Sequence, residues 1–462
     1  MLKHLIKYLS SICNPIFVGG CVRDEIMNIE CKDIDIEVYG IDPELLLIKL
    51  NLNKEKLNIK NINTIGMSFG IIKIKLNDNQ ELDISFPRRE NRIGNGHRGF
   101  LCTPDPNMSI KDAAGRRDFT FNSLCCTLEG EILDFFGGLN DLQKRKIKHT
   151  SKSFIEDPLR VLRGMQFAGR FGFTVDENTA SVCAILAYHY DYLAKERIWG
   201  EWYKFLVKST VPSFGMWFLR DTGWVECYPV LSKLISLQQD KTWHPEGDVW
   251  NHTCQSMDAA CAICDRENVD NEIRLVIMLA SLCHDFGKIS TTEFVDGKIR
   301  SRGHDQAGEE YTTEFLESIH TPKDIIKKVV PLVTNHMAHL NCNNSNSVRR
   351  LSKKIEPATI YELALVMEAD HSGRGGIDIG RHEKVQFMLN KAEELKIKNS
   401  APKPILMGHH LISLGYKPGP EFGTILRRAF EAQLNGEFND LETGVVWLKQ
   451  KGDINVCPRS VI

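Results

Sequence analysis

Asp33 and Asp35 stand two apart in DIDIE (33–37), a few residues after FVGGCVRD (17–24). On an extended strand, residues i and i+2 face the same side. The two carboxylates therefore project together, and their repulsion calls for a cation between them. Magnesium suits the place, because it takes carboxylate oxygens and keeps positions for phosphate. Asp83, in the alternating stretch ELDISF (81–86), supplies a third carboxylate. Three carboxylates on adjacent strands can hold two ions, one to activate an attacking hydroxyl and one to hold a triphosphate and its leaving pyrophosphate. Gly19 and Gly20 let backbone approach phosphate and offer N–H donors at a helix start, and Arg23 adds positive charge. The plainer alternative is a solvent-facing acidic strand beside an ordinary glycine turn. The conjunction of the three motifs weighs against it.

A second set lies further on. HPEGDVWNHT, LCHDFGK, GHDQAG, TNHMAHL and MEADHSGR contain His252, His284, Asp285, His304, His336 and Asp370. Imidazoles and carboxylates are ligands for a divalent metal such as Mn, Fe, Ni, Co or Zn. Adjacent residues on a helix are about 100° apart, so His284 and Asp285 can flank one ion. Lys288, four beyond His284, can hold a phosphate. Taken singly, each histidine is more often an ordinary core residue; the order H…HD…H…H…D is what points to a site.

The elements that position these groups divide the chain. The first 150 residues mix short apolar strands with turns: NPIFVGG ends in glycines, VRDEIMNI is a short helix, and DIDIEVYG alternates with period 2. SFGIIKIKLNDNQELDISF reads as a hairpin turning at Asn77 to Asn79. From about residue 155 the pattern is helical, starting at DPLRVLRGMQFAGRFGF, where Asp157 can cap and Pro158 suits the first turn. Loops are expected at 242–250, 294–305, 342–347, 373–376 and 416–423. Asp157 and Arg160, three apart, share a helix face. An acceptor-only carboxylate and a fixed fork of donors can match the edge of a nucleobase, although such a pair is commonly a surface ion pair. Arg163 lies on the same face, and Arg163 and Arg170 can reach a triphosphate or RNA backbone. Arg116, Arg117 and Asp118 are charged residues at a strand entrance. Lys144, Arg145, Lys146, Lys148 and Lys152 form a basic cluster able to meet RNA phosphates.

Composition sets the bounds. The chain's 462 residues predict two to four domains. Hydrophobic residues at 42% and charged residues at 26% can build packed cores. A net charge of −2 argues against a protein wrapped in nucleic acid but leaves room for a local basic patch. No apolar run approaches the ~18–20 residues of a membrane span. The N-terminus has no signal-peptide pattern. The 14 cysteines are scattered, with Cys125, Cys126, Cys261 and Cys264 reading as small buried hydrophobes. A reducing cytoplasm is expected.

The stretch FVGGCVRDEIMNIECKDIDIEV resembles the head of class II tRNA nucleotidyltransferases and the related bacterial poly(A) polymerases, within the polymerase beta-like superfamily. GRRDFTFNSL (115–124) resembles that family's motif for placing the nucleotide and its ribose, which implies roles for Arg116, Arg117, Asp118 and Asn122. DFFGGLNDL (134–142) resembles its hinge-like segment. EDPLRVLRGMQFAGRFGF (156–173) resembles the amino-acid template helix, which implies that Asp157 and Arg160 pair with the incoming base and that Glu156 holds the arginine. Residues from about 240 to 375 resemble the HD phosphohydrolase domain. The resemblance implies one metal site at His252, His284, Asp285 and Asp370, with His304 and His336 for a second metal or a phosphate. The region around Pro418, Gly419, Pro420, Arg427 and Arg428 resembles the part of longer members that grips the tRNA body.

The resemblance thus implies a multidomain α+β chain: a nucleotidyltransferase head (1–150), a helical neck with the template helix (151–238), an HD domain (239–390) and a C-terminal helical tRNA-binding region (391–462). It further implies CCA addition to a tRNA 3′ end from CTP and ATP with Mg²⁺. A phosphatase or 2′,3′-cyclic phosphodiesterase is implied at the HD site, using Mn, Ni, Co, Fe, Zn or Mg. A cytoplasmic monomer or homodimer without membrane contact is expected. The alternatives are a poly(A) polymerase, a partial CC- or A-adding enzyme, an HD hydrolase with an RNA-binding head, and a non-catalytic RNA-binding module.

Overall fold

The computed structural model describes residues 1–31, 34–64, 70–92, 100–375 and 379–451. Asp33 lies outside the described residues. The chain forms two compact units, dividing between Tyr228 and Pro229.

The first unit is built on strands β1 (Asn14–Val18), β2 (Ile34–Tyr39), β3 (Ile59–Asn63), β4 (Ile71–Leu76), β5 (Glu81–Ser85), β6 (Arg88–Arg92), β7 (Phe100–Pro104), β8 (Cys125–Cys126) and β9 (Ile132–Leu133). Seven of these make one sheet in the order β3-β4-β5-β2-β1-β8-β9, while β6 and β7 pair separately. Neighbours in the large sheet are antiparallel except β2 and β5, which run parallel. A parallel pair needs a crossover, here the helix Pro43–Leu52 followed by β3 and β4. Period-2 alternation sorts the faces. Ile36, Val38, Ile72, Ile74, Leu82 and Ile84 enter one core, with Leu5, Leu46 and Leu50 from helices packed on it. Asp35, Glu37, Lys73 and Asp83 hold the alternate positions on the other face. The hairpin expected around Asn77 to Asn79 is β4–β5, with Asn79 at φ +66°.

The region expected as head (1–150) and most of that expected as neck (151–238) fall within this one unit, while residues 229–238 belong to the second. The helix Leu159–Phe171 joins head and neck, because Phe167 meets Phe119 and Phe121 edge-on at 5.9 and 5.6 Å. Its other side packs on the helices Lys195–Lys208 and Pro212–Asp221. At Gly164 any Cβ would come within 2.4 Å of the Phe218 ring, so that crossing needs glycine.

The second unit is helical. Val249–Arg266, Asn271–Cys283 and Ile360–Ser372 are its central helices, capped at their N-termini by the side chains of Asp248, Asp270 and Thr359. The loop expected at 294–305 is instead a hairpin of Thr292–Val295 with Lys298–Ser301. Its turn residues Asp296 and Gly297 have φ +52° and +75°, and Asp-Gly is the pair that a tight hairpin turn favours. Likewise, part of 342–347 belongs to the helix Ser345–Lys354, started by a capping box of Asn344 and Ser347. Leu406, Leu411, Ala429, Ala432, Phe438 and Leu448 form a separate C-terminal core. Among the described residues no helix is long and apolar enough to cross a membrane.

Candidate active sites

Asp35 and Asp83 are register partners in the parallel β2–β5 pair, so their carboxylates leave the same face. Lys73 on β4 is the register partner of Asp83, and its Nζ donates to Asp83 Oδ2 at 2.8 Å. A row of Lys73, Asp83 and Asp35 therefore crosses neighbouring strands. Strand spacing of ~4.8 Å brings such carboxylates near enough to share a divalent ion, and an all-oxygen donor set suits magnesium. A Cβ on Gly20 would lie 3.6 Å from Arg23 Nη2 and 3.9 Å from Asp35 Oδ2. Backbone at this helix start thus runs beside both a guanidinium and a carboxylate. Gly19 has φ +72°, and a Cβ there would come within 2.6 Å of Arg117 Nη1. Glu37, two beyond Asp35, is buried, accepts from the Tyr39 hydroxyl and lies 3.6 Å from Arg117 Nη2.

A buried polar chain runs from the head to the helix Leu159–Phe171. Arg23 donates to Asp24 (2.7 Å) and Asn122 (2.5 Å). Asn122 Nδ2 donates to Asp118 Oδ1 (2.9 Å), and Arg163 Nε donates to Asp118 Oδ2 (2.7 Å). Arg170 lies 3.6 Å from Asp24. The guanidiniums of Arg23, Arg163 and Arg170 stack over Phe167 or Phe171 at 4.8 to 5.3 Å. Burial works against the Asp118 carboxylate, but Arg163 and Asn122 hold its pKa below the usual range. These contacts join five of the expected nucleotide-site residues, Arg23, Asn122, Asp118, Arg163 and Arg170.

Asp157 and Arg160 adjoin that chain. Asp157 accepts from Arg197 Nη2 (2.7 Å) and from the Leu159 N–H (3.2 Å), which gives the start of the helix a carboxylate. Arg160 donates to the carbonyls of Ser153 and Arg116 (2.5 and 2.8 Å). Glu156 was expected to hold Arg160, but its partner is Arg116, at 3.5 Å. The reason is local: Arg160 is already engaged by two carbonyls, whose direction its planar fork fits.

In the second unit, His252, His284, Asp285, His304, His336 and Asp370 converge from separate elements. His252 Nε2 lies 3.2 Å from His284 Nε2 and 3.1 Å from Asp370 Oδ1. His304 Nε2 lies 3.1 Å from His336 Nε2 and 3.3 Å from Asp285 Oδ1. His284, His304 and His336 each place Nδ1 within 2.7 to 2.8 Å of the carbonyl three residues earlier, at Ser281, Ser301 and Val333. That bond assigns the proton to Nδ1 and leaves each Nε2 lone pair facing the cluster. Paired lone pairs at 3.1 Å repel unless a cation lies between them, so the donor set fits a divalent metal. Two overlapping triads, His252–His284–Asp285 and Asp285–His304–His336, have ligand atoms within 4.8 Å of one another.

Burial, reinforced by His304 and His284, lowers His336 to about 4, so it stays neutral and able to ligate. Burial opposes charge on His252, yet Asp370, Glu246 and Asp285 raise it to about 9. Surroundings that hold a proton so firmly are also suited to a metal cation. Lys288 is buried against Asp285 (2.7 Å) and Gln239 (2.6 Å).

Several partners escaped the sequence reading: Glu37, Asp24, Lys73, Arg197, Gln239, His244 and Glu246. Glu37 had a signal, since it continues the period of Asp33 and Asp35. Glu246 Oε1 lies 2.9 Å from His244 Nδ1 and 2.8 Å from His252 Nδ1, in a segment expected only as a loop.

Comparison with known proteins matches both regions. Residues 16–148 match the poly A polymerase head domain, and residues 249–372 match the HD domain. The multifunctional CCA protein of Pasteurella multocida (strain Pm70) is 29% identical over 384 residues, covering 80% of this chain and 86% of its own. That of Aliivibrio salmonicida (strain LFI1238) is 28% identical over 436 residues, covering 90% and 97%. The fold resembles the Bacillus stearothermophilus CCA-adding enzyme in complex with CTP (TM-score 0.65, 17% identity, 97% and 98% coverage). It also resembles the Thermotoga maritima CCA-adding enzyme complexed with tRNA (TM-score 0.57, 18% identity, 97% and 94% coverage).

Proposed function

We propose, from the premise that this chain is an enzyme of the class II CCA-adding and bacterial poly(A) polymerase family with an HD domain, that it adds C, C and A stepwise to the 3′ end of tRNA from CTP and ATP. The observation that carries this is the register pairing of Asp35 with Asp83 beside Gly20, joined through Arg23, Asn122, Asp118 and Arg163 to the helix that bears Arg160.

In the reaction, the RNA 3′ oxygen bonds to the nucleotide α-phosphorus, the bond to the β-phosphate oxygen breaks, and pyrophosphate leaves. Bound magnesium would lower the pKa of the attacking hydroxyl and stabilise the leaving group. Asp35 and Asp83, with Asp33 as the expected third carboxylate, would hold it. Gly19, Gly20, Arg23, Arg117 and Arg170 line the approach for the triphosphate. Asp157 and Arg160 read the base. Two of the five N–H donors of Arg160 are fixed on carbonyls, which sets the plane of its fork and leaves the others for a base edge. Arg197 fixes the Asp157 carboxylate in turn.

The HD site is read as a metal-dependent phosphohydrolase of RNA ends. Water adds to phosphorus, the bond to a ribose oxygen breaks, and that oxygen takes the proton. The histidine and carboxylate ligands would hold the divalent ion, and Lys288 sits beside Asp285 to meet phosphate.

The test is addition to tRNA lacking its last three nucleotides, supplied with magnesium and CTP, ATP or both. Growth by two with CTP, and by three and no further with both, supports the reading. Long adenosine tails would assign a poly(A) polymerase, and a stop after two C residues a CC-adding enzyme. No incorporation would overturn transfer altogether.

A further inference from the structure

The cavity over the HD cluster holds about 420 Å³, and much of its wall is not metal ligand. The two carboxylates of the cluster, Asp285 and Asp370, each have a cation beside them. Lys288 Nζ lies 2.7 Å from Asp285 Oδ2, and Arg374 Nη2 lies 3.7 Å from Asp370 Oδ1. The two cations are not equivalent. Lys288 is buried, and Asp285 and Gln239 take two of its three N–H donors. Arg374 stands beyond hydrogen-bond length from Asp370, and its buried Nε has no hydrogen-bond partner among the described residues. A buried donor left unmet costs about 1–3 kcal/mol, so the fork is poised for an acceptor that the described residues do not supply.

His339, His371 and His382 line the same cavity, with ring centroids 5.8 Å (His339–His382) and 5.6 Å (His371–His382) apart. None of the three is in the metal-ligand triads. His382 Nδ1 accepts from the Lys384 N–H at 3.2 Å, which leaves its Nε2–H as a donor. His339 and His371 each carry at least one ring N–H in either protonation state, so they too present donors. Trp243, 68% exposed, also lines the cavity and offers the kind of face on which an unpaired base stacks.

We propose that Arg374, with His339, His371 and His382, forms a second anion subsite that takes the 5′-side phosphate of a ribonucleotide whose 2′,3′ phosphate lies on the metal-ligand cluster. This rests on the phosphohydrolase reading of the HD site. The two subsites are neighbours because Asp370 Oδ1 serves both, lying 3.1 Å from His252 Nε2 and 3.7 Å from Arg374 Nη2. An arginine fork matches a phosphate in two hydrogen bonds, and the imidazoles add further N–H donors. The cavity thereby recognises a nucleotide with phosphate on both sides of the ribose, either as a free nucleotide or as an RNA end.

The experiment uses the full chain with manganese and three substrates: adenosine 2′,3′-cyclic phosphate, the same compound carrying a 5′ phosphate, and diadenylate with a 2′,3′-cyclic end. Ring opening is followed by chromatography. The two substrates with a 5′-side phosphate should exceed the first by about 10-fold or more in kcat/KM, mainly through KM, as a charge-assisted hydrogen bond implies. Arg374→Gln, and independently His382→Ala on another element, should remove that advantage. Preference for the free nucleotide or for diadenylate supports the subsite either way and identifies the source. Equal rates on all three, or variants that lower all three alike, would overturn it. If wild type opens none of them with any divalent metal, the phosphohydrolase reading fails. The subsite is then judged by binding of adenosine 3′,5′-bisphosphate in EDTA: weaker binding by Arg374→Gln supports it, and unchanged binding overturns it.

Discussion

Replacing Asp118 by Asn tests whether the buried chain between the head and the helix Leu159–Phe171 is a working part of the enzyme. Asp118 is 7% exposed. Its Oδ2 accepts from Arg163 Nε at 2.7 Å, and its Oδ1 accepts from Asn122 Nδ2 at 2.9 Å and from the Phe119 N–H at 2.8 Å. Asparagine keeps the shape but turns one oxygen into a donor, so a donor must face either Arg163 or Asn122. Losing a charged hydrogen bond costs about 1.5–3 kcal/mol, and an unmet buried donor about 1–3 kcal/mol more. Water can reach Arg163, whose side chain is 36% exposed, so we take about 2–3 kcal/mol as the net loss. That corresponds to roughly 30- to 160-fold in an equilibrium constant.

Urea unfolding of Asp118→Asn should show this loss, and a double-mutant cycle with Arg163→Gln should return a coupling of about 1.5–3 kcal/mol. The acid limb gives a second readout. The folded pKa of Asp118 lies below its ordinary value of about 3.9. Its contribution is therefore fully present above about pH 4 and fades as pH falls through the folded value. The variant should lose that part of the acid dependence. A wild-type urea midpoint, wild-type acid limb and unchanged incorporation rate in Asp118→Asn would refute the reasoning.

Asp35→Ala should abolish incorporation of both CTP and ATP while leaving hydrolysis at the HD site unchanged, as measured on the same preparation. Arg160→Ala should lower discrimination between CTP and ATP by about 10-fold or more, since unpaired buried donors are what reject a wrong base; this is read from competing kcat/KM values. Glu246→Gln should weaken metal binding at the HD cluster by about 10- to 100-fold, because a carboxylate behind a histidine raises its basicity. Metal titration followed by thermal shift measures the change.

How much of this was legible varies by kind of contact. The alternation of DIDIE and ELDISF gave both faces of β2 and β5, because a strand's period is fixed by its backbone. The pairing of Asp35 with Asp83 was not readable as a register, since it depends on a crossover spanning residues 40–80 that sequence does not lay out. Arg197 and Lys73 were missed for the same reason: each reaches its carboxylate from another element. Asp296-Gly297 did carry a hairpin signal, which the polar composition of 294–305 obscured. The partner of Glu156 turned on which of two nearby arginines was already satisfied, a question of side-chain competition that spacing does not answer.

The three imidazoles that turn back to carbonyls three residues earlier bear on how the site tolerates substitution. Each of these histidines is aimed by its own local stretch of main chain, and a carbonyl is present whatever residue occupies position 281, 301 or 333. Point substitution cannot delete the orienting partner. Three of the cluster's imidazoles are thus aimed by main chain alone, and side-chain substitution at 281, 301 or 333 leaves the accepting carbonyl in place. His252 departs from that rule, since its Nδ1 faces the Glu246 side chain. Selection acting on residue 246 has a direct handle on the ligand field that it lacks at the other three.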